Sequence, residues 1–302
     1  MSDRLLKFMF RGAPVRGELV RVADAWREMT AHHQYPAPVK RLLGEMVAAA
    51  ALLASSIKFN GALVMQVHGD GPVKLLVVEC QPDLTLRATA KFSEQAVVSG
   101  ATMRELINRS GRGRFAITLD PRDPVPGQQP YQGIVPLDGD SMAEVLESYM
   151  RQSEQLETRL VLAADEDVSA GLLLQRLPDT GGTAGDIDED AWDRVTTLGA
   201  TLSADELLRL SPETLARRLY NQEVLDHQAT LAPRFACRCS RERIGRMLVS
   251  LGREEVDSIV AELATVTVTC DFCGRQYSFD AVDVAQLFAS GETTEADARL
   301  QH

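Results

Sequence analysis

Four of the five cysteines fall in the last quarter of the chain, as two close pairs. Cys237 and Cys239 flank a single arginine, and after thirty further residues Cys270 and Cys273 form a CxxCG motif with Gly274. Four thiolates in two pairs can close a tetrahedral Zn²⁺ site, and a complete shell of four cysteines is typical of structural zinc. The N-terminal stretch shows no export signal, and in such a chain close cysteine pairs favour metal ligation or redox chemistry over structural disulfides. The sequence therefore predicts one Zn²⁺ per chain, held by these four cysteines.

Local elements that would position the cysteines can be predicted on both sides of each pair. Residues 265–269 alternate Thr and Val as a strand does, residues 276–279 can return as its partner, and CxxCG lies at the turn. There Gly274 allows a backbone conformation that directs both sulfurs to one point. The sequence also predicts three helices. The first runs from Ser240 to about Val249 and is closed by Gly252. The second has an apolar face of Val256, Ile259, Val260 and Leu263, and the third begins at Asp280, ends before Gly291 and has an apolar face of Val284, Leu287 and Phe288.

The predicted zinc-binding module, residues 231–291, is small for an independent domain. It has few large apolar side chains, and domains of about 60 residues are marginally stable by burial alone. A structural zinc site contributes on the order of 10–16 kcal/mol of folding free energy. We therefore expect the metal to determine whether this module folds.

Oxidation of the sulfurs would remove that contribution. Peroxide or hypochlorite converts a thiolate to a sulfenic acid, which condenses with a neighbouring thiol, and each pair contains its own second cysteine. Disulfide sulfurs are not anionic ligands, so the metal would be lost along with a free energy comparable to the roughly 5–15 kcal/mol that stabilises a typical domain. We expect oxidation to unfold the module.

The whole chain is predicted to be α+β. It consists of an N-terminal antiparallel-sheet domain with packed helices, a helical linker, and the C-terminal zinc-binding α+β module. Seven runs have strand character: 5–10, 62–68, 73–80, 84–90, 114–119, 158–163 and 171–177. Residues 39–57 place Leu43, Val47, Ala50, Ala54 and Ile57 on one helical face, and residues 141–152 do the same with Val145, Leu146 and Tyr149. The segment from Gly69 to Pro72 predicts a hairpin turn in which the glycines take positive φ.

Turn-forming residues from Pro178 to Gly185 predict a domain boundary, giving a core domain over 1–178, a linker over 179–230, the zinc module over 231–291 and a tail over 292–302. A further irregular loop is predicted from Pro121 to Pro130. From residue 187 to about Gln228 the pattern indicates short helices, two of them begun by serine caps at 203 and 211. Isolated helices this short are unstable in water, so the linker requires a surface against which Leu207, Leu208, Leu215, Leu219 and Leu225 would pack.

The composition limits the classes of partner. The chain has 302 residues, 45% hydrophobic and 25% charged, with a net charge of −11 that disfavours phosphate backbones. Six arginines lie between Arg234 and Arg253, but a Zn²⁺ held by four thiolates is formally −2, and nearby guanidinium groups would offset that charge. Nucleic acid is thus an unlikely partner. No apolar run is long enough to span a membrane, and we expect a cytoplasmic protein.

Other residues that attract attention have structural interpretations. Cys80 ends a predicted strand and is expected to be a small core residue. Four of the five histidines, at 32, 33, 68 and 227, have no spacing that suggests a metal site or a catalytic relay. Residues 110–113 (SGRG) lack the Gly-Lys-Ser/Thr of a phosphate-binding loop and are expected to form a turn.

Several segments together resemble one known family. They are CRCSRER at the first cysteine pair, CDFCG at the second, HGDGPVKLLVVEC over residues 68–80 and YMRQSEQLETRLVLA over residues 149–163. In this order, over nearly the whole chain, they closely resemble the thirty-three-kilodalton heat-shock-protein family of bacterial redox-regulated chaperones. Some relatives carry another cysteine just after the first pair, where this chain has Ile244.

The resemblance implies an ATP-independent holdase rather than an enzyme, with no catalytic residues. Such a protein is inactive while reduced and zinc-bound, becomes active under oxidative stress, binds unfolding client proteins and is a homodimer when active. The switch cysteines of the family map onto Cys237, Cys239, Cys270 and Cys273, and the resemblance implies one disulfide within each pair. It offers no motif for client-binding residues.

Two other functions remain open at this stage. A thiol-disulfide oxidoreductase needs a low-pKa CxxC at a helix N-terminus, whereas this CDFC follows a predicted strand. A zinc-ribbon nucleic-acid-binding protein would show salt-dependent affinity for DNA or RNA.

Overall fold

The computed structural model describes residues 2–123, 130–178, 188 and 190–289. The strands are β1 (Arg4–Phe10), β2 (Val15–Val22), β3 (Gly61–His68), β4 (Val73–Cys80), β5 (Thr85–Phe92), β6 (Arg114–Pro121), β7 (Tyr131–Pro136), β8 (Thr158–Ala164), β9 (Ser169–Arg176), β10 (Leu225–Leu231), β11 (Arg234–Phe235), β12 (Thr265–Thr269) and β13 (Gln276–Asp280). The helices are α1 (Asp24–Thr30), α2 (Ala37–Ser56), α3 (Met103–Ile107), α4 (Met142–Gln152), α5 (Ala191–Ala200), α6 (Ala204–Arg209), α7 (Pro212–Leu219), α8 (Arg241–Leu251), α9 (Arg253–Leu263) and α10 (residues 281–289).

The chain divides into two compact units, Met1–Ala236 and Cys237–His302. The first unit contains a five-stranded sheet in the order β10-β1-β2-β9-β8 and a six-stranded sheet in the order β11-β5-β4-β3-β6-β7. The prediction that sequential strands pair antiparallel is confirmed for β1–β2, β3–β4, β4–β5, β6–β7 and β8–β9. It is wrong for β2 and β3 and for β7 and β8, which lie in different sheets, and the short β11 pairs parallel with β5. The second unit has the two-stranded sheet β12-β13. This is the predicted α+β class.

All seven predicted strands are present, and none of their ends is shifted by more than two residues. Strands β2, β7, β10 and β11 and helices α1 and α3 were not predicted. The prediction of helix up to about Gln228 was wrong, because residues 225–231 form β10 and pair with β1. Among the described residues of the predicted linker, the short helices α5, α6 and α7 form between 191 and 219, as expected.

The central helix α2 is buried more completely than its sequence pattern predicted. The pattern placed one apolar face on the core, but every side chain from Met46 to Leu53 is buried, whereas Ile57 lies beyond the helix end and is 36% exposed. The helix packs within a cluster that draws residues from both sheets of the first unit. Alanines at 48–51 allow this, because a small side chain on each side lets the strands approach closely, and an added Cβ on Gly171 of β9 would lie 2.9 Å from Leu52.

The β3–β4 hairpin forms as predicted, but for a different reason. Gly69 and Gly71 do not have positive φ; the residues that do are elsewhere. Gly69 and Gly71 are instead required by close packing. An added Cβ at Gly69 would lie 2.1 Å from the Val73 carbonyl oxygen, and one at Gly71 would lie 2.4 Å from the Leu106 carbonyl oxygen. The turn therefore depends on contacts with neighbouring backbone rather than on its own dihedral angles.

The predicted linker helices do find a surface in the first unit. Leu207 and Leu215 are buried, and the other three predicted leucines are partly buried against the same cluster. Tyr220, which follows α7, is 1% exposed, with its ring 4.9 Å from that of Phe10 in an edge-to-face arrangement. The predicted boundary at residues 178–185 lies largely outside the described residues, as do most of the predicted loop at 121–130 and Gly291. The division into a 1–178 domain, a 179–230 linker, a 231–291 module and a 292–302 tail thus stays a prediction.

The second unit has a small core of six buried residues, Leu248, Val256, Val266, Phe279, Val284 and Phe288. Helix α8 begins and ends where predicted: Ser240 accepts a hydrogen bond from the Arg243 amide, and Gly252 closes the helix with φ of 95°. Asp280 accepts hydrogen bonds from the first turn of α10. The prediction that Leu263 faces the core was wrong, because it is the last residue of α9 and is 64% exposed.

Candidate metal centre

The second cysteine pair lies at the turn of the β12–β13 hairpin. Thr269 and Gln276 are the last paired residues, and the Cys270 amide donates to the Arg275 carbonyl at 2.9 Å. The Gly274 amide donates to the Cys270 carbonyl at 2.9 Å, and Gly274 has φ of 67°, as its predicted role requires. The hairpin therefore fixes the backbone from which both sulfurs project.

The first pair lies just before α8. Ser240 begins the helix one residue after Cys239, and the Arg243 side chain donates from Nη1 to the Arg238 carbonyl between the two cysteines at 3.2 Å. This contact with the first turn of the helix restrains the short CRC segment. The segment is thus held through α8, whereas the CxxC pair is held by the hairpin.

The four sulfurs converge on one point. The Sγ atoms of Cys237 and Cys270 are 3.6 Å apart, those of Cys239 and Cys273 are 3.4 Å apart, and all four lie within 4.8 Å of one another. A tetrahedron with Zn–S bonds of about 2.3 Å has sulfur–sulfur edges of about 3.8 Å. The donor set and its spacing therefore fit one Zn²⁺. In the described parts of the chain, no other set of three or more His, Cys, Asp or Glu side chains is close enough to hold a metal ion.

The thiols differ in their surroundings. Burial is the main cause that raises the pKa of Cys237, to about 12. Burial also acts to raise the pKa of Cys239, but hydrogen bonds from Tyr277 and the neighbouring cysteines outweigh it and lower the value to about 7. The pKa of Cys273 is raised, chiefly by burial. A bound divalent cation would favour the thiolate form throughout, because metal ligation requires deprotonated sulfur.

Two residues beside the cluster were missed in the sequence. The Tyr277 hydroxyl donates to Cys239 Sγ at 3.1 Å. The Arg275 guanidinium interacts electrostatically with Cys239 and Cys273, and its hydrogen bond to Tyr277 is the main cause that raises its pKa. The signal was available, since both residues lie within four positions of Cys273 on the returning strand of a predicted hairpin.

Three of the arginines between 234 and 253 pair with carboxylates, and the prediction that this segment offsets the charge of the centre stays a prediction. Arg234 pairs with Asp83, and Arg253 pairs with Asp257. Arg241 pairs with Asp283 at 2.7 Å and stacks over the Phe279 ring, with 4.2 Å from Cζ to the ring centroid. Arg275, which lies outside that segment, interacts electrostatically with Cys239 and Cys273.

The residues given structural interpretations keep them. Cys80 is fully buried, its thiol pKa is raised chiefly by burial, and its Sγ lies 3.5 Å from the Gln81 carbonyl oxygen. The SGRG segment is a turn before β6, where Asp70 accepts hydrogen bonds from the Ser110 and Arg112 amides. Cys80 is therefore a core residue, as predicted.

The fold and the cluster define an α+β protein in two units, the smaller of which carries a four-cysteine centre of the structural-metal type. The family model described as "Hsp33 protein" matches residues 3–280. The chain is 47% identical over 291 residues to the 33 kDa chaperonin of Methylobacillus flagellatus, covering 96% of each, and 46% identical over 288 residues to that of Chromobacterium violaceum, covering 95% and 94%. The chain therefore belongs to the Hsp33 family.

The fold has a counterpart among solved structures. The crystal structure of a 33 kDa chaperonin from Thermotoga maritima matches with a TM-score of 0.78 at 19% identity, covering 96% of this chain and 99% of that one. Among the described helices, none combines the length and apolar character needed to cross a membrane. The comparisons thus agree with the family indicated by the sequence.

Proposed function

We propose that this chain is a redox-regulated, ATP-independent holdase chaperone and not an enzyme. The coarser part, a chaperone function, is supported by the family and by the names of its relatives. The finer part is supported chiefly by one observation: four sulfurs lie within 4.8 Å of one another in a unit whose described residues form a core of six buried side chains. In the reduced state Cys237, Cys239, Cys270 and Cys273 hold one Zn²⁺ that stabilises this unit, and the chaperone is inactive.

Oxidation acts on the sulfurs. In each pair, one sulfur attacks a peroxide oxygen, water leaves, and the second sulfur displaces hydroxide from the resulting sulfenic acid. Per pair, two thiols and one hydrogen peroxide give one disulfide and two waters. The bonded sulfurs no longer carry the charge that holds a cation. The disulfides Cys237–Cys239 and Cys270–Cys273 are the pairing that the family resemblance implies.

Loss of the metal leaves the second unit with a core too small to stay folded, because its free energy of folding depends on the ion. The helices α5–α7 are short and depend on packing for their order. Once they loosen, Leu207, Leu215 and Tyr220, now buried, become exposed. Exposed apolar surface of this kind binds unfolding clients and prevents their aggregation. We further propose that the active form is a homodimer and that the protein works in the cytoplasm.

The experiment measures three quantities on the same sample of purified full-length protein treated with peroxide: zinc released to a chelating dye, helix content by circular dichroism, and light scattering of an unfolding client. We expect one equivalent of zinc per chain, with release, loss of helix and suppression of aggregation rising together and reversing with a dithiol reductant. Metal-free protein that stays folded, or oxidised protein that fails to suppress aggregation, contradicts the proposal. Replacing Cys80 by Ala is the matched control and should change none of the three.

A further inference from the structure

The hydroxyl of Tyr277 contacts the four-cysteine centre directly, although Tyr277 is not one of the four candidate ligands. It donates to Cys239 Sγ at 3.1 Å from strand β13, where Tyr277 pairs in register with Val268. The ring packs against the small core of the second unit, so the hydroxyl is held in place by the same hairpin that carries Cys270 and Cys273. The contact thus links the first cysteine pair to the hairpin that carries the second pair.

A hydrogen bond to a ligating thiolate has two physical effects. It fixes the direction from which the sulfur presents its lone pairs, and it withdraws negative charge from the sulfur. Attack on a peroxide uses the electron pair of the sulfur, so a sulfur that shares this charge with a hydroxyl is a weaker nucleophile. Arg275 adds a positive charge near Cys239 and Cys273 and acts in the same sense.

We propose that Tyr277 is a positioning residue of the redox switch. Its hydroxyl holds Cys239 in the ligand set and slows oxidation of that sulfur, so it sets how much oxidant is needed to release the metal. This inference rests on the proposed function and identifies a residue that regulates it. The step affected is the reaction of the Cys237 and Cys239 dithiol with one peroxide to give one disulfide and two waters.

The test compares Tyr277→Phe with Tyr131→Phe in the full-length protein. Tyr131 is a matched control, because its hydroxyl lies 3.4 Å from Glu154 in the first unit and touches no cysteine. With Co²⁺ as a spectroscopic probe, Tyr277→Phe should move the sulfur-to-metal charge-transfer band to lower energy while the tetrahedral d–d bands persist. Zinc affinity should fall by on the order of 10-fold, the low end of what loss of an outer-shell partner costs.

Oxidation kinetics supply the second readout. In limiting peroxide, Tyr277→Phe should release zinc several-fold faster than the parent, and mass spectrometry should find Cys239 modified earlier. Replacing Tyr277 by 3-fluorotyrosine, a stronger hydrogen-bond donor of almost the same shape, should shift the band and the rate in the opposite direction. A purely structural role for the ring predicts the same values for tyrosine and fluorotyrosine.

Two outcomes overturn the inference. One is that Tyr277→Phe leaves the charge-transfer energy and the zinc release rate unchanged. The other, which applies if that variant does not fold, is that the fluorotyrosine protein has the same charge-transfer energy and zinc release rate as the parent. Either can occur while the parent protein binds zinc and is activated by oxidation, so the inference can fail alone. If the parent itself holds no metal or is not activated, the proposed function has failed instead.

Discussion

Two helices, α2 of the first unit and α9 of the second, show how the two units differ. In the first unit, α2 is buried on all sides from Met46 to Leu53, whereas in the second unit α9 buries Val256 alone. Burial of apolar surface contributes roughly 25 cal/mol per Å², so the first unit can depend on its core. The second unit has few such side chains and gathers four sulfurs instead. Stability that comes from burial is insensitive to oxidants, whereas stability that comes from thiolates is not.

The largest expected effect comes from removing one sulfur. In Cys273→Ser the second unit should lose most of the roughly 10–16 kcal/mol that the metal supplies. Hydrogen exchange read by mass spectrometry should show α8 and α9 unprotected while α2 keeps its protection. If α8 and α9 stay protected in this variant, the second unit does not depend on the metal and the comparison between the units is wrong.

A matched pair of core truncations should show the same contrast at a smaller scale. Phe279→Ala and Phe115→Ala each remove a ring that is at most 1% exposed, a change that costs about 3–5 kcal/mol. Denaturant melts followed by hydrogen exchange should show Phe115→Ala destabilising the first unit equally with and without a chelator. Phe279→Ala should destabilise the second unit only while zinc is bound, since we propose that this unit is unfolded without the metal. An effect of Phe279→Ala that survives chelation contradicts this expectation.

Helix caps provide a finer comparison. Ser203 accepts a hydrogen bond from the Glu206 amide at the start of α6, and Ser240 accepts one from the Arg243 amide at the start of α8. Replacing either by Ala should cost about 1 kcal/mol of local stability. For Ser203→Ala we expect faster hydrogen exchange in α6 of the reduced protein only, because oxidation loosens α6 itself. For Ser240→Ala the change should appear in the reduced, zinc-bound protein and vanish after oxidation; equal changes in both states would show that α8 survives metal loss.

The smallest expected effect comes from lowering the pH, which should unfold the two units at different pH values. Asp70 accepts a hydrogen bond from the Ser110 hydroxyl, which is the largest cause of its pKa shift, and further hydrogen bonds from backbone amides. Together they lower the pKa of the Asp70 carboxyl group to about 2. Because the folded pKa is lowered, the stabilising contribution is present above the ordinary pKa of an aspartate and is lost as the pH falls towards 2. Protonation of thiolates should release zinc at higher pH than this. Zinc release and near-ultraviolet circular dichroism, measured from pH 7 to 2, should show the second unit unfolding first, and Asp70→Asn should weaken the pH dependence of the later step while leaving zinc release unchanged.

The sequence predicted the features that local patterns determine. Alternation located seven strands, and the spacing of Cys237, Cys239, Cys270 and Cys273 located the centre, because ligand type and separation are properties of the chain itself. The structure brings these four sulfurs together as predicted. Whether they hold zinc and form disulfides stays a proposal with the tests given above.

The parts that were missed depend on partners distant in sequence. Residues 225–231 become a strand only because β1, more than two hundred positions earlier, offers its edge. Strand β2 contains Gly17, which weakens its local signal, yet an added Cβ there would lie 2.3 Å from the Phe8 ring, so the glycine is required by packing across the sheet. The contact of Tyr277 with Cys239 depends on the hairpin placing a side chain against the other pair. None of these is visible in a local window.

The sparse core of the second unit also affects what happens after the unit melts. In its described residues the unfolded second unit would release six buried apolar side chains and seven partly buried ones, a small apolar surface for self-association, and the charges of Arg241, Arg253 and Asp283 would keep it hydrated. Such a tail would neither precipitate nor compete with a client for the surface uncovered in the first unit. Light scattering of the oxidised protein alone should therefore rise no further than formation of a dimer requires, so that activation does not reduce the solubility of the protein.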